Sequence, residues 1–194
     1  MSVLEAVRIG ATLVVMIAAV YTDIRWNKIH NALTAPFALL GLILMAVGGA
    51  LGDMTLFGEL PDQPFLGALA GIATSILGIA LGVGIWFLCN LLGRILGAGD
   101  SKLLAAIGAL QGPALLGYAM LATAIIGGIL AILVALWRGY LRKSLASLVS
   151  SLYTRVFHKT PIDIETAAPQ ARLPYAIPIC LGALWSIYHV YFRH

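Results

Sequence analysis

Long stretches without a single charged side chain restrict this chain more than any other feature. Asp, Glu, Lys and Arg are absent from four of them, residues 29–52, 63–93, 103–137 and 173–192. Each stretch contains at least the roughly 20 residues that an α-helix needs to cross a bilayer. Only 10% of all residues are charged and 61% are apolar, whereas soluble domains carry roughly 25% charged residues. This composition excludes a soluble globular enzyme, a nucleic-acid-binding module and a disordered tail, and it predicts an all-α polytopic membrane protein.

Polar residues divide the apolar sequence into six predicted transmembrane helices within one membrane domain, residues 1–194. The helices cover about residues 4–22, 32–51, 65–92, 95–111, 114–137 and 173–192. As a single helix, the uncharged run 103–137 would be about 50 Å long, well beyond a hydrocarbon core of about 30 Å. We therefore expect a break at residues 111–113, Gln-Gly-Pro. Small residues four apart predict close helix crossings at Gly67/Gly71, Gly78/Gly82 and Ala124/Gly128.

The placement of basic residues predicts the orientation of these helices. Ten of the twelve Lys and Arg residues fall in three segments, 23–31, 93–102 and 138–172, whereas segment 52–64 carries only acidic charges. Basic residues in short loops stay on the cytoplasmic side, so both termini are expected to face away from the cytoplasm. Within segment 138–172, apolar residues at helical spacing predict an amphipathic helix on the cytoplasmic leaflet, with a solvated linker as the alternative.

Two of the eight acidic residues, Asp23 and Asp100, are the candidates for function. The other six lie in predicted loops or near the chain start, where water can surround them. Asp23 ends the first predicted span and Asp100 opens the fourth, so the topology puts both carboxyls at the cytoplasmic face. An acidic group at a membrane span needs a partner, a water-filled cavity or a function.

Two carboxyls that approach each other are suited to the hydrolysis of an amide bond. One retains its proton while the other ionises, which supplies an acid and a base for one water molecule. Gly97 and Gly99 would permit unusual backbone angles and let a substrate strand approach beside Asp100. The pattern is equally consistent with structural roles, in which Asp100 is a helix N-cap and Asp23 pairs with a nearby basic residue.

Three motifs resemble those of the type IV prepilin peptidases, which are Gly-x-Gly-Asp membrane aspartic proteases. Residues 97–109 (GAGDSKLLAAIGA) are similar to the family motif that contains Gly-x-Gly-Asp. Residues 23–31 (DIRWNKIHN) resemble the family's first motif, an Asp followed by a basic residue and Ile-Pro-Asn. Residues 173–178 (LPYAIP), followed by Gly182, are similar to its C-terminal signature. The resemblance covers nearly the whole chain in order and spacing.

The resemblance implies a membrane-embedded aspartic endopeptidase. Asp23 and Asp100 would be the catalytic pair, with no metal and no organic cofactor, and they would cleave the N-terminal leader of a prepilin or pseudopilin at the cytoplasmic face. Substrate-binding or motif-supporting roles would fall to Gly97, Gly99, Lys102, Arg25 and Asn31. The expected partners are this substrate and the lipid bilayer, without nucleic acid.

Two departures from the family pattern bear on the function. His30 stands where the family usually has Pro, so the turn into the second helix is expected to be built differently. The chain also lacks the insertion with paired Cys-x-x-Cys motifs found in the long members that N-methylate pilins, and its short form resembles the peptidases of Flp-type pilus systems. Nothing in the sequence supports the methyltransferase activity. The alternative function is a non-catalytic membrane scaffold, or a small carrier with paired interfacial aspartates.

Overall fold

The computed structural model describes residues 2–26, 29–52, 63–93, 97–137 and 175–192. Within these ranges every regular element is an α-helix: α1 (Val3–Trp26), α2 (Asn31–Ala50), α3 (Pro64–Gly93), α4 (Ala98–Trp137) and α5 (Ala176–Tyr191). The predicted all-α class is therefore confirmed for the described part of the chain. The predicted amphipathic helix of segment 138–172 lies outside it.

Four helices are long and apolar enough to cross a membrane: Val3–Trp26, Asn31–Ala50, Pro64–Leu91 and Ala98–Val134. The first three agree with the predicted spans. α4 is interrupted at Gly112 (φ 81°, ψ 170°), which confirms the predicted break and gives two helical segments, 98–111 and 113–137. α5 is apolar but has only 16 residues, which reach about 24 Å against a hydrocarbon core of about 30 Å.

The described residues fall into two compact units. The first contains the chain up to Ala124 together with α5, and the second begins at Ile125. In the second unit the apolar side chains of Ile129, Leu133 and Trp137 are exposed. Every residue that concerns function in the following sections belongs to the first unit.

The first segment of α4 is the centre of the first unit. All its residues from Leu103 to Leu110 are buried. A helix that is apolar on all sides belongs in a protein core or in a membrane, and this segment is covered by other helices. The main core cluster joins this segment to α1 through Met16 and to α5 through Ile179, and the Ser75 hydroxyl of α3 donates to its Ala109 carbonyl oxygen (2.9 Å).

Glycines allow the neighbouring helices to approach closely. The four predicted crossing residues of α3 all meet backbone atoms of another helix: Gly67, Gly71, Gly78 and Gly82. A Cβ on Gly82, for example, would stand 2.8 Å from the backbone nitrogen of Ala105. The predicted crossings on α3 are therefore confirmed. Gly128 belongs to the second unit, and the close crossing predicted at Ala124/Gly128 stays a prediction.

A buried polar cluster lies near the N-terminal end of α1. Arg8 is 4% exposed; its Nη1 donates to Sδ of Met45 (3.0 Å), and its Nε has no hydrogen-bond partner among the described residues. Nε2 of Gln111 donates to Oγ1 of Thr12 (2.8 Å), and the Tyr191 hydroxyl donates to Oε1 of Gln111 (3.1 Å). These five residues, called the Arg8 cluster below, connect α1, α2, α4 and α5.

Candidate active site

Asp100 lies in the first turn of α4, and its carboxyl is bound by its own helix start. Its Oδ2 accepts a hydrogen bond from the backbone N–H of Gly97, three residues earlier (3.3 Å). An acidic side chain in the first turn that binds the N–H of the residue before the helix forms one half of a capping box. Asp100 is the third residue of the helix rather than its N-cap, and it is only 9% exposed.

The two glycines beside Asp100 serve close approach rather than unusual backbone angles. A Cβ on Gly97 would stand 3.0 Å from Oδ2 of Asp100, and a Cβ on Gly99 would stand 3.2 Å from the Cβ of Ile29. Neither glycine has a positive φ. The expectation of unusual angles is therefore wrong at both positions, because what these positions require is the absence of a side chain.

Ile29 joins the two aspartate motifs through the hydrophobic core. It follows α1 in the sequence, is 7% exposed and belongs to the main core cluster. In space it contacts Gly99, the residue immediately before Asp100. The segment that follows Asp23 is thus packed against the helix start that carries Asp100, which helps to fix the distance between the two carboxyls.

Asp23 lies near the end of α1, partly buried, and binds the start of a different helix. Its Oδ2 accepts a hydrogen bond from the backbone N–H of Ala176, the first residue of α5 (3.4 Å). The first N–H groups of a helix have no partner within the helix, and the preceding residue, Tyr175, provides no side-chain cap. A carboxyl from 153 residues earlier in the chain therefore takes the place of a local cap.

The two predicted catalytic carboxyls lie at the same end of the first unit. Asp23 and Asp100 are close enough to interact electrostatically. Asp23 also interacts in this way with the thiol of Cys180, one turn into α5. Sγ of Cys180 donates to the carbonyl oxygen of Met16 (3.6 Å), so α5 contacts α1 at two levels. We refer to Asp23, Asp100 and the Ala176 N–H as the aspartate site.

The predicted supporting side chains are solvent-exposed. Arg25, Asn31 and Lys102 are all in the exposed class, and in the part of the chain that the structure describes none of them hydrogen bonds or forms an ion pair with either carboxyl. Within the same ranges no group of three or more His, Cys, Asp or Glu side chains is arranged as a metal site.

His30 precedes α2 with an extended backbone (φ −80°, ψ 140°). Proline fixes φ at about −65 ± 15°, so His30 takes a backbone angle that a proline would also adopt. Its ring packs edge-on against Trp26, with the ring centroids 5.8 Å apart. The φ of His30 is thus one that the family's usual proline could also take, and whether the turn into α2 is built differently stays a prediction.

Sequence reasoning missed two parts of the site, the Ala176 N–H and the packing of Ile29. A backbone donor leaves no signal in residue type, although proline on both sides of Ala176, at positions 174 and 178, is typical of a helix start. Ile29 was recognised as part of a motif, but its burial against Gly99 depends on a helix far away in the sequence.

Comparison with known families gave one match. A sequence model of the type IV leader peptidase family matches residues 10–132, well over half of the chain. The matched region includes Asp23, Gly97, Gly99 and Asp100, whereas α5 with its Ala176 donor lies beyond it. Searches of curated proteins and of solved structures found no match.

Proposed function

The chain belongs to the type IV leader peptidase family, and on that premise we propose that it is a membrane-embedded aspartic endopeptidase. Its substrate is a prepilin or pseudopilin, which loses its N-terminal leader peptide at the cytoplasmic face of a bacterial inner membrane. The observation that carries the proposal is geometric: Ile29, six residues after Asp23, packs against Gly99, the residue before Asp100, so the two motifs, distant in sequence, meet at one end of the helix bundle.

Two interacting carboxyls supply both halves of an acid–base mechanism. Like charges at short distance do not both ionise readily, so the pair holds one proton between them. The ionised carboxyl activates a water molecule for attack on the scissile carbonyl carbon, and the protonated one donates to the carbonyl oxygen. Both groups are this chain's own side chains, and the reaction as proposed uses no metal or organic cofactor.

The surroundings of the pair support access by an extended peptide. Gly97 is exposed beside Oδ2 of Asp100, and any side chain there would crowd that oxygen. We assign Gly97 to this open approach, Gly99 to the packing against Ile29 that supports the motif, and Arg25, Asn31 and Lys102 to support of the two motifs at the cytoplasmic surface. The same proposal includes six membrane crossings with both termini away from the cytoplasm, which follows from the positions of the basic residues.

The test is mass spectrometry of a Flp-type prepilin incubated with the detergent-solubilised protein. The wild type is compared with Asp23→Asn, Asp100→Asn and the control Glu5→Gln. Glu5 forms a capping box with Ser2 at the start of α1, a position where Gln serves as well as Glu. We expect cleavage at the leader junction by the wild type and the control, and a rate lower by about 10²- to 10⁴-fold in either Asn variant.

Two results would contradict the proposal. Cleavage that survives in either Asn variant would mean that the catalytic carboxylates are others. An intact substrate with every variant, including the wild type shown to be folded, would favour the non-catalytic scaffold.

A further inference from the structure

We propose that the start of α5 is part of the catalytic apparatus: the Ala176 N–H holds Asp23 as the carboxylate that activates water, and Asp100 carries the proton of the pair. This inference rests on the proposed peptidase function and deepens it. It assigns two roles that the sequence leaves interchangeable, and it makes Ala176 a positioning residue that acts through its backbone.

The first argument is the kind of donor that each carboxyl binds. Asp23 accepts the first N–H of a 16-residue helix, and the N-terminus of a helix stabilises a negative charge. Ala176 is 0% exposed, so water does not compete for this donor. Asp100 also lies at a helix start, in the first turn of α4, but the N–H that it accepts from belongs to Gly97, which is exposed, so water can compete for this donor.

The second argument is the difference in burial. Asp100 is in the buried class and Asp23 is not. A buried carboxyl without a cationic partner is more stable in its neutral form, and no described Lys, Arg or His contacts either carboxyl. The other titratable group facing Asp23 is the Cys180 thiol of α5. The two carboxyls share one proton. Water and the start of α5 stabilise the charged form of Asp23 more than that of Asp100, so the proton stays on Asp100.

The third argument is that α5 is held firmly enough to orient Asp23. One turn beyond Ala176, the Cys180 thiol binds the Met16 carbonyl of α1 (3.6 Å). Further along, the Ser186 hydroxyl donates to the Leu115 carbonyl oxygen of α4 (3.0 Å). The donor that meets Asp23 therefore belongs to a helix anchored against both α1 and α4.

The reaction step then has defined proton positions. Asp23 takes one proton from water while the water oxygen bonds to the carbonyl carbon, and the carbonyl oxygen takes the proton from Asp100. The resulting diol collapses as the C–N bond breaks: the proton on Asp23 passes to the leaving amine nitrogen, and a diol proton returns to Asp100. The starting protonation state is thereby restored.

The experiment compares two synthetic peptides that carry the leader junction and the following hydrophobic segment, one with the scissile amide and one with an ester in its place. An ester carbonyl is more electrophilic, so it needs less help from the acid but still needs a base to activate water. The side-chain amide introduced by Asp100→Asn would also still donate a hydrogen bond to the carbonyl oxygen. In this variant we expect amide cleavage to fall by about 10²- to 10⁴-fold and ester cleavage to fall at least tenfold less.

In Asp23→Asn we expect both substrates to lose activity, because no carboxylate is left to activate water, and the ratio of ester to amide rates should rise less than in Asp100→Asn. The ratio of ester to amide rates is measured within each variant, so partial unfolding does not change it. The reverse pattern, or the same ratio in both variants, would overturn the assignment of roles. Failure of the wild type on the amide peptide would instead contradict the proposed function.

A second pair of variants keeps both carboxyls and tests the positioning role of α5. Ala176→Gly loosens the helix start that binds Asp23, and Ala183→Gly makes the same change at another fully buried position of α5. We expect Ala176→Gly to lower kcat severalfold on both peptides with KM unchanged, and Ala183→Gly to leave kcat unchanged. Equal effects of the two substitutions on kcat would contradict a role of Ala176 at Asp23.

Discussion

The aspartate site and the Arg8 cluster lie near opposite ends of α1, about 22 Å apart at 1.5 Å per residue, and they bury charge in different ways. At the aspartate site, carboxyls are held by backbone donors at two helix starts. In the Arg8 cluster, the acceptor of the buried guanidinium among the described residues is a thioether, and hydrogen-bonded side chains link the helices around it.

This difference in how charge is held gives the two sites different roles: the aspartate site is suited to catalysis, and the Arg8 cluster joins helices. Backbone donors at a helix start orient a carboxyl without neutralising its charge, so it remains available for proton transfer. The chain of hydrogen bonds from Thr12 through Gln111 to Tyr191 instead ties three helices together beside the break at Gly112. We therefore expect substitutions at the first site to change activity, and those at the second to change stability.

The largest effect is expected for Gly99→Ala, which tests whether contact with Ile29 sets the geometry of the aspartate site. The new Cβ would stand 3.2 Å from the Ile29 Cβ and 3.4 Å from its backbone nitrogen, so the segment must shift. A misplacement approaching 1 Å can cost about 10²-fold in rate, and we expect at least about a tenfold loss of leader cleavage. The measurement is the initial rate with a prepilin substrate.

Gly84→Ala on α3 is the matched control, because nothing lies within 4 Å of the position of its Cβ. This variant should cleave at the wild-type rate. A Gly99→Ala enzyme with the same rate as the control would show that the Ile29 contact does not govern the site.

A moderate effect on stability is expected for Gln111→Leu in the Arg8 cluster. The substitution removes the amide that donates to the Thr12 hydroxyl and accepts from the Tyr191 hydroxyl, and the loss of an intramolecular hydrogen bond costs about 0.5–1.5 kcal/mol. Thermal unfolding in detergent should show the loss, whereas the exposed Gln63→Leu should not. A variant as stable as the wild type would mean that the amide adds nothing to helix association.

The smallest effect, and the one of opposite sign, is expected for Arg8→Met. The guanidinium is buried without a carboxylate among the described residues, and replacing buried charged groups by apolar ones is often neutral or stabilising by about 1–4 kcal/mol. With a single guanidinium we expect stability unchanged or raised by about 1 kcal/mol, with Arg25→Met as the exposed control. A clear loss of stability would show that the Arg8 guanidinium itself stabilises the fold. Buried charge would then not be merely tolerated in the Arg8 cluster, and this cluster would differ less from the aspartate site.

Local chemistry explains which features of the fold were predictable. The uncharged runs indicated the apolar helices, and Gln-Gly-Pro marked the interruption that falls at Gly112, because such signals depend on a few adjacent residues. The crossing at Gly128 stays a prediction, because spacing of small residues identifies a possible contact face, whereas contact also requires a neighbouring helix. At Gly97 and Gly99 we expected unusual backbone angles. The structure instead shows ordinary φ values, with atoms of Asp100 and Ile29 close to the place that a Cβ would take.

Patterns along the chain were enough to predict apolar, membrane-spanning helices, the break in the fourth of them, and the two carboxyls that merit attention. These properties follow from hydrophobicity, charge placement and backbone chemistry, all of which act over short distances along the chain. Three features became visible in the folded chain alone: α5 supplies a donor to Asp23, Ile29 packs against Gly99, and Arg8 is buried. Such contacts join residues far apart in sequence, and they depend on how helices pack, which no local pattern specifies.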